Sequence, residues 1–355
     1  MVDTMIVYYT FKCYKDYEIV FDIIKEKAEC INPRNKLHKK DGRNITYAFA
    51  AYGIQEIVLQ QDINYRLYIE LRPKLMIEPG NYDDVLRAYD ILLLYKRFKN
   101  IMNDLGLSQI SNLQVWHVKR IDYAVDIVVP QMDIPMYIKL FHRGNIRETL
   151  LNSDTSRRYE DADNNLYLTT KNCCVNFYDR YTTSVDKQKK NPNKYENIEE
   201  RYSILRFEIQ LKNIDTSKLK KRKFIKNNTV DDFLNIDLCK YYILKYYNEI
   251  IGRGDYYSYY DALGKCKNVA QKEVMRLAYH ERSVYRAKQA FINQGDDKRK
   301  RSKKFSKIIN DLERLGINPV TTEDRYIKNL YSKLLYAIDG SNKILIKRRK
   351  KYCEE

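Results

Sequence analysis

The 355-residue sequence predicts an α+β fold built around a largely antiparallel sheet. Apolar residues alternate with polar ones in several short segments, as in half-buried strands, and recur every three or four residues in the segments between them, as in helices. The predicted order is strand, helix, strands, helix, strand, helix, hairpin, strand, which is typical of α+β proteins. Neither GxGxxG nor GxxxxGK[ST] occurs, which argues against a doubly wound fold and a nucleotide-driven motor.

The strand and helix predictions follow this periodicity along the first 214 residues. Predicted strands cover 5–12, 65–74, 116–129, 165–170, 172–180 and 202–212. Predicted helices cover 15–29, 82–103 and 133–148. The helix over 82–103 has the strongest amphipathic pattern of the three, and we expect Asp83 or Asp84 to cap its start.

After residue 214 the character of the chain changes. A basic stretch, TSKLKKRKFIKNN, is followed by helical patterns only. We therefore expect two domains, 1–214 with the sheet and 215–355 with helices and basic residues. Residues 302–316 and the segment after them have the size of a helix–turn–helix unit, with Gly316 and Pro319 in its turn.

The net charge restricts the partners. Lys and Arg total 65 against 47 Asp and Glu, which gives +18 at pH 7 and a pI near 9.3. A protein this basic usually meets DNA, RNA or an anionic membrane, although codon bias in an AT-rich genome also enriches lysine. No signal peptide and no apolar run of about 18 residues is visible, so we expect a cytoplasmic protein without a membrane span. Nucleic acid is the predicted partner, and 215–355 its predicted binding domain.

Three predicted strands carry acids among apolar residues, and each of these strands has an arginine two positions from an acid. The acids are Glu70, Asp122, Asp126 and Glu208. A half-buried carboxylate is costly unless it is paired or binds a metal. If the three strands are neighbours, the acids would converge on one hard divalent cation, and the alternative is a set of ion pairs on a wet face. In that alternative the pairs are Glu70–Arg72, Arg120–Asp122 and Arg206–Glu208.

Histidine gives no metal signal. The four histidines form neither HxH nor HxxxH, which excludes a histidine-rich zinc site. His117 lies five residues before Asp122, so the two side chains point to opposite faces of a regular strand, and only a bulge would bring them to the same face.

The stretch NFYDRY contains two candidate nucleophiles, Tyr178 and Tyr181. A phenol is a poor nucleophile near its ordinary pKa of about 10. A divalent cation that polarises a phosphate, together with a basic neighbour such as Arg180, would make it competent. Without those partners both tyrosines are structural, and Tyr181 shares a face with Tyr178 only if the segment turns helical.

Five segments, in this order along the chain, resemble the rolling-circle replication initiators of filamentous phages and related plasmids, the gene II/X-type replication proteins. The segments are MVDTMIVYY, LYIELRPKLM, VKRIDYAVDI, CVNFYDRY and LRFEIQLKNI. The later segment INDLERLGIN is similar to the helical C-terminal part of that family. The resemblance covers 1–220 well and the remainder loosely.

The resemblance implies an endonuclease of the HUH type, with a ferredoxin-like antiparallel sheet in the nuclease domain and a mainly helical DNA-binding domain after it. The catalytic tyrosine of the family attacks a DNA phosphate beside a bound metal, here expected to be Mg²⁺ or Mn²⁺. The products are a 5′-phosphotyrosine link and a free 3′-hydroxyl that primes synthesis. The family's nucleophile precedes the RFE motif, which assigns that role to Tyr178, with Tyr181 as the second candidate.

The ligand set implied by the resemblance departs from the family pattern. The His-hydrophobic-His motif is absent, so carboxylates would have to hold the metal, chiefly Asp122 and Glu208 with Glu70 or Asp126 in reserve. Because anionic DNA repels bare carboxylates, a cation must lie between them. The basic segment 218–226 would follow the DNA backbone, so binding would depend strongly on salt. The other predicted DNA contacts are Arg206, Arg120, Arg72, Arg180, Lys187, Lys189 and Lys190.

The predicted function is therefore a replication initiator that nicks one strand of origin DNA, in single-stranded or supercoiled duplex form, and works with a host helicase and polymerase. A non-catalytic origin-binding protein or repressor is the alternative, and it would keep the charge and the helix–turn–helix without needing convergent acids. A conjugative relaxase would share the chemistry. A structural or coat protein would leave the acids on the strands without a role.

Overall fold

The computed structural model describes residues 1–31, 44–49, 52–61, 64–81, 84–147, 165–190, 203–212 and 214–338. Side chains at 28–31, 44–49, 61, 187 and 190 lie outside this description. Within the described residues, eight strands form one open antiparallel sheet and thirteen helices accompany it. The mixed helix and strand content and the antiparallel sheet agree with the prediction.

The strands are β1 (Val2–Thr10), β2 (Asn44–Phe49), β3 (Ile54–Gln61), β4 (Tyr65–Leu71), β5 (His117–Val128), β6 (Asn165–Thr169), β7 (Cys173–Asp179) and β8 (Ile204–Leu211). The helices are α1 (Tyr14–Ile31), α2 (Pro73–Ile77), α3 (Ile91–Asp104), α4 (Ile134–His142), α5 (Arg180–Lys190), α6 (Thr216–Lys221), α7 (Val230–Phe233), α8 (Ile236–Ile250), α9 (Tyr259–Lys265), α10 (Val269–Glu281), α11 (Val284–Asn293), α12 (Lys298–Arg314) and α13 (Tyr331–Ile338). Every strand of the sheet ends before residue 212, so the predicted change to helical structure is confirmed. None of the helices in the described part of the chain is long and apolar enough to cross a membrane.

The strand order across the sheet is β2-β3-β4-β1-β5-β8-β7-β6. β1 lies between β4 and β5 and is antiparallel to both. Ile6 of β1 is opposite Glu70 of β4 and opposite Arg120 of β5, so these three residues form a row across the sheet. β7 is antiparallel to β6, with Tyr178 opposite Asn165.

By their internal contacts the residues form two units. The first unit contains Met1–Ala124, Lys171–Cys173 and Glu208–Tyr241. The second unit contains Val125–Thr170, Cys174–Phe207 and Tyr242–Glu355. The division falls within four elements, which are β5, β7, β8 and α8. The division does not follow the predicted boundary at residue 214, because residues 208–241 group with the N-terminal strands.

In the first unit the hydrophobic core lies on one face of the sheet. Val7 of β1 and Ile69 of β4 are opposite each other and fully buried. Tyr9, on the same face as Val7, contacts Trp116, whose ring meets Phe98 of α3 at a centroid distance of 5.4 Å. Burial of this apolar surface stabilises the unit and leaves polar and charged side chains on the opposite face.

In the second unit a stack of aromatic rings forms the core. Phe177 of β7 and Phe207 of β8 lie with ring centroids 4.1 Å apart and an angle of 6° between their planes. Phe141 of α4 and Tyr247 of α8 contact this pair, and all four rings are buried. Aromatic pairs of this kind add to the stabilisation that their buried area provides.

The helix predicted over 82–103 begins later than expected. α3 starts at Ile91, after a 3-10 turn, and Asp90 stands at the junction instead of Asp84, while the other candidate, Asp83, lies outside the described residues. The buried Asp90 carboxylate accepts a hydrogen bond from a backbone N–H three residues earlier, at 3.2 Å. A buried acceptor at this point fixes the start of the helix, which the periodicity of apolar residues does not reveal.

The helix–turn–helix predicted around Gly316 and Pro319 is not formed there. α12 ends at Arg314, α13 begins at Tyr331, and the residues between them are not helical. Isolated β-bridges involve this connection instead. A helix–turn–helix needs a turn of about three or four residues, so this long connection does not provide one.

Candidate functional site

Four charged side chains on the polar sheet face of the first unit form the Arg120 cluster: Arg120, Glu70, Asp122 and Glu208. Cross-strand pairing sets Glu70 beside Arg120, with 3.8 Å between Glu70 Oε1 and Arg120 Nη1. The guanidinium also donates two hydrogen bonds to Asp122, from Nε to Oδ1 at 3.0 Å and from Nη2 to Oδ2 at 2.5 Å. Glu208 adds a further favourable electrostatic contribution to the guanidinium, so three acids share one arginine.

Burial governs ionisation in the Arg120 cluster. The Asp122 side chain is 1% exposed, and burial raises the pKa of its carboxyl above the ordinary value, with Arg120 and the Gln210 amide offsetting part of the effect. Burial also disfavours the charged guanidinium, but the three acids around it raise its pKa above the usual value. The guanidinium therefore stays protonated, and Asp122 is an acid whose surroundings do not favour its charge.

The second unit holds the opposite arrangement, the Asp126 cluster: Asp126, Arg206 and Arg180. Arg206 donates from Nε to Asp126 Oδ1 at 2.6 Å and from Nη2 to Oδ2 at 3.0 Å. Arg180 donates from Nη1 to Oδ2 at 2.9 Å. The three side chains are 13%, 5% and 10% exposed respectively. Although burial by itself raises the pKa of the Asp126 carboxyl, the two arginines lower it well below its ordinary value.

Tyr178 lies on the same face of the sheet as the Asp126 cluster. The stacked rings of Phe177 and Phe207 point to one face, so Tyr178 and Arg206, their neighbours along β7 and β8, point to the other. Tyr178 is half-buried, and β7 ends one residue after it. The candidate nucleophile is therefore at the end of a strand, on the face that carries the buried arginines.

Asp179 holds the turn from β7 into α5. Its Oδ1 accepts a hydrogen bond from the Tyr181 backbone N–H at 2.9 Å, and its Oδ2 accepts one from the Thr182 hydroxyl at 2.7 Å. These bonds satisfy donors at the N-terminus of α5 that have no partner within the helix. Because the helix begins at Arg180, Tyr178 stays on the strand while Tyr181 lies in the first helical turn.

A row of rings that the sequence did not predict crosses three strands of the first unit. The aromatic row consists of Tyr68 of β4, Tyr8 of β1 and His117 of β5. The Tyr8 ring centroid lies 5.5 Å from that of Tyr68 and 5.3 Å from that of His117. Arg66 lies over the Tyr8 ring at 5.2 Å, and Lys119 Nζ over the Tyr68 ring at 4.5 Å. With 33 tyrosines in the chain, sequence alone does not single out these two.

A bulge in β5 explains the position of His117. The pairing of β1 with β5 shifts between Ile6 and Val7, so that Lys119 is an extra residue on β5. One extra residue reverses the alternation of side chains along a strand. His117 therefore lies on the face of the Arg120 cluster, which is the case that the sequence allowed only for a bulge.

The remaining predicted DNA contacts are dispersed. Arg72 stands directly before α2 and is half-buried. Lys189 is exposed on α5, and its Nζ lies 3.8 Å from Asp186 Oδ1. Lys187 and Lys190 also belong to α5, but their side chains lie outside the described residues. A role of these four residues in binding DNA stays a prediction.

The strand-borne acids had two interpretations, a metal site or ion pairs. Of the three ion pairs considered, Arg120–Asp122 is formed, whereas Glu70 lies beside Arg120 and Arg206 binds Asp126. Among the residues that the structure describes, no group of three or more His, Cys, Asp or Glu side chains is placed to hold a metal ion. As placed, Asp122 and Asp126 are held by arginines and do not present a ready ligand set for a divalent cation.

Comparisons with known proteins assign neither a family nor residue roles to this chain. No family model matches the chain, and no curated protein matches it. The roles of individual residues therefore rest on the two charged clusters, the position of Tyr178 and the aromatic row.

Proposed function

We propose that this protein is a DNA strand transferase that nicks one strand of an origin through Tyr178 and so starts rolling-circle replication. The observation that carries the proposal is that Tyr178 shares a sheet face with Arg206, which is linked through Asp126 to Arg180. Arginine binds phosphate oxygens through charge-assisted, often paired hydrogen bonds. A phosphodiester bound on this face would have a phenol and an excess of positive charge near it.

In the proposed reaction the Tyr178 oxygen attacks the phosphorus of one phosphodiester and loses its proton. The bond between phosphorus and the 3′-oxygen breaks, and the 3′-oxygen takes up a proton to become a hydroxyl. The phosphate stays on the tyrosine as a 5′-phosphotyrosine ester. The arginines of the Asp126 cluster would stabilise the charge that develops on the non-bridging oxygens.

Mg²⁺ or Mn²⁺ is the cofactor that this proposal expects, because a divalent cation polarises the phosphate. Within the first unit, the Arg120 cluster contains the candidate oxygen ligands Glu70, Asp122 and Glu208, and Arg120 would have to move aside before they could hold a cation. The acids as placed do not fit a formed cation site, so no step of the proposed reaction is assigned to a metal.

Two features of the first unit support a ferredoxin-like nuclease core that acts on single-stranded DNA. β1 lies between β4 and β5, and the sheet there has one buried face and one polar face. The polar face carries the aromatic row, with Arg66 and Lys119 over its rings. Proteins that bind single strands stack bases on aromatic rings and follow the backbone with cations.

Two other functions would use the same surface differently. A non-catalytic origin-binding protein or repressor would need the net charge of +18 but no nucleophile, so Tyr178→Phe would leave its activity unchanged. A conjugative relaxase would carry out the same attack at a transfer origin. A nicking assay distinguishes the proposed function from a non-catalytic binding protein. The position of the nick distinguishes it from a conjugative relaxase.

The test uses purified protein, supercoiled DNA that carries the gene and its flanks, and Mg²⁺ or Mn²⁺, with EDTA as the metal-free control. The wild type should produce nicked circles and a covalent protein–DNA band that survives denaturant. Tyr178→Phe should reduce both by about 10³-fold or more, since the nucleophile is lost. Tyr181→Phe is the matched control, because it removes a neighbouring phenol from the helix and should retain the band.

The alternatives give different outcomes in the same assay. A covalent band that persists in Tyr178→Phe and disappears in Tyr181→Phe would keep the function and move the nucleophile to α5. Tight binding without a nick in either metal, on DNA shown to contain the origin, would favour the non-catalytic binding protein.

A further inference from the structure

The second unit contains a three-helix group, α10, α11 and α12, in which each helix contacts the other two. Two residues, Arg282 and Ser283, join α10 to α11, and four residues that include Gly295 join α11 to α12. The rings of Phe291 on α11 and Phe305 on α12 meet at a centroid distance of 5.6 Å. Two helices joined by a turn of three or four residues, often with a glycine, are typical of helix–turn–helix units.

The turn between α11 and α12 is closely packed. Asp297 caps α12 by accepting a hydrogen bond from the Lys300 backbone N–H at 2.8 Å. Arg301 donates from Nε to the Phe291 carbonyl oxygen at 2.6 Å. A Cβ atom on Gly295 would lie 2.9 Å from Arg301 Cδ, so the glycine makes room for this arginine. These contacts hold α12 at a defined angle to α11.

α12 separates its apolar and basic residues onto opposite faces. Seven of the ten residues over 298–307 are Lys or Arg, and no acid occurs over 298–310. The buried residues are Phe305, Ile308 and Leu312. At about 100° per residue, a set of exposed cations falls on the opposite side of the helix. This basic face consists of Arg299, Lys300, Lys303, Lys307 and Arg314.

Charge and shape together indicate what this face contacts. α12 has 17 residues, which at about 1.5 Å per residue gives a rigid rod of about 25 Å. The major groove of B-DNA is about 12 Å wide and admits one α-helix. An amphipathic helix that lies on a membrane needs an exposed apolar face, and of the four apolar residues of α12 three are buried and the fourth, Ile309, is half-buried. The features therefore favour duplex DNA over a lipid surface.

We propose that the basic face of α12 is a binding surface for duplex DNA, with α12 in the major groove and its cations on the flanking phosphates. The inference deepens the proposed function, because it names the surface that would hold the duplex part of an origin. Binding is measured here without cleavage, so this inference and the Tyr178 assignment can fail independently.

The test is fluorescence anisotropy of the full chain with EDTA, using a labelled DNA duplex and its isolated single strand. Lys303→Glu/Lys307→Glu should raise the Kd for the duplex at least about tenfold and reduce the slope of log affinity against log salt by about 2, since two phosphate contacts are lost. Single-strand binding should change by less than about twofold. Lys303→Ala/Lys307→Ala, which introduces no new charge, should show the same trend and guards against misfolding.

The matched control is Lys96→Glu/Lys99→Glu, which makes the same charge change at two exposed lysines of α3. It should leave the Kd for the duplex nearly unchanged. Equal losses in this control and in the α12 variants would overturn the proposal, because net charge alone would then explain the binding. Unchanged duplex affinity and salt slope in both α12 variants would also overturn it. So would tighter wild-type binding to double-stranded RNA or to phosphatidylserine vesicles than to the DNA duplex.

Discussion

The two charged clusters use the same residue types in opposite proportions. In the first unit three acids share Arg120, and in the second unit two arginines share Asp126. The pKa values of the two carboxyls differ accordingly: burial raises that of Asp122, whereas the arginines lower that of Asp126 despite its burial. A buried carboxylate is therefore stabilised as an anion only where the cations around it are sufficient.

The difference also determines which residue each cluster depends on. The acids of the Arg120 cluster share one arginine and, as placed, do not form a cation site. The arginines of the Asp126 cluster share one carboxylate. Mutations that remove the shared residue of one cluster at a time test this comparison directly.

The largest effect is expected for Asp126→Asn. The change removes the carboxylate that accepts three hydrogen bonds from the buried Arg180 and Arg206, and breaking a buried ion pair from one side typically costs about 3–5 kcal/mol. The free energy of unfolding from urea denaturation is the measurement. Asp186→Asn is the control, because Asp186 is an exposed acid on α5 whose Oδ1 lies 3.8 Å from Lys189 Nζ. This control should change the free energy of unfolding by less than about 1 kcal/mol. Equal values for the two variants would contradict the buried ion-pair network.

An intermediate effect is expected for Arg120→Met. The change leaves Glu70, Asp122 and Glu208 without their shared arginine, and we expect a loss of about 1–3 kcal/mol in the free energy of unfolding. Mn²⁺ should restore part of this loss, because a cation then replaces the guanidinium. Thermal unfolding with increasing Mn²⁺ measures the effect, and Asp126→Asn is the comparison. Equal stabilisation of both variants by Mn²⁺ would show that the Arg120 cluster has no particular affinity for cations.

The smallest effect at neutral pH is expected for Asp122→Asn, within about 1 kcal/mol, because the folded protein does not favour the charged form of this acid. The contribution of the Asp122 carboxyl to stability should depend on pH in the opposite direction to that of the Asp126 carboxyl. The raised pKa of Asp122 means that its contribution to stability is fully present below the unfolded value of about 3.9 and is lost as the pH rises through the folded value. The lowered pKa of Asp126 means that its contribution is present above about 3.9 and is lost as the pH falls.

Unfolding free energies of the wild type and both Asp→Asn variants, measured over acidic to neutral pH, test this contrast. The free energy of unfolding of the wild type should exceed that of Asp126→Asn by a smaller amount as the pH falls. Relative to Asp122→Asn, the free energy of unfolding of the wild type should increase as the pH falls. Parallel curves for the two variants would mean that the clusters do not differ in the way described.

Of the three ion pairs predicted between residues two apart on one strand, Arg120–Asp122 is formed, and none of the contacts between distant residues was predicted. Arg120 and Asp122 are two residues apart on one strand, so alternation places them on one face and predicts their pairing. Arg206 is 80 residues from Asp126, and Arg180 is 54 residues from it. Their pairing depends on which strands are neighbours, and no local pattern contains that information.

One error and one prediction that was left conditional have the same origin. The helix–turn–helix was expected after α12, because Gly316 and Pro319 are turn residues, but the short turn lies before α12 at Gly295. His117 points away from Asp122 only in a regular strand, and the shift in the pairing of β1 with β5 produces the bulged case, in which both residues lie on one face. In both cases the local sequence pattern was read correctly, but contacts with a distant helix or strand decided the structure.

The sequence by itself determined the class of the fold, the change from sheet to helices along the chain and the excess of positive charge, and it supplied the candidates for nucleophile, acid and phosphate contact. Those properties depend on composition and on the periodicity of consecutive residues. Only the tertiary structure decided that the acids divide between two clusters with opposite charge excess, that rings line up across three strands, and that α12 turns its cations outward. Strand neighbours, register and helix packing are set by the sum of many long-range contacts, and each of those contacts joins residues that are far apart in the chain.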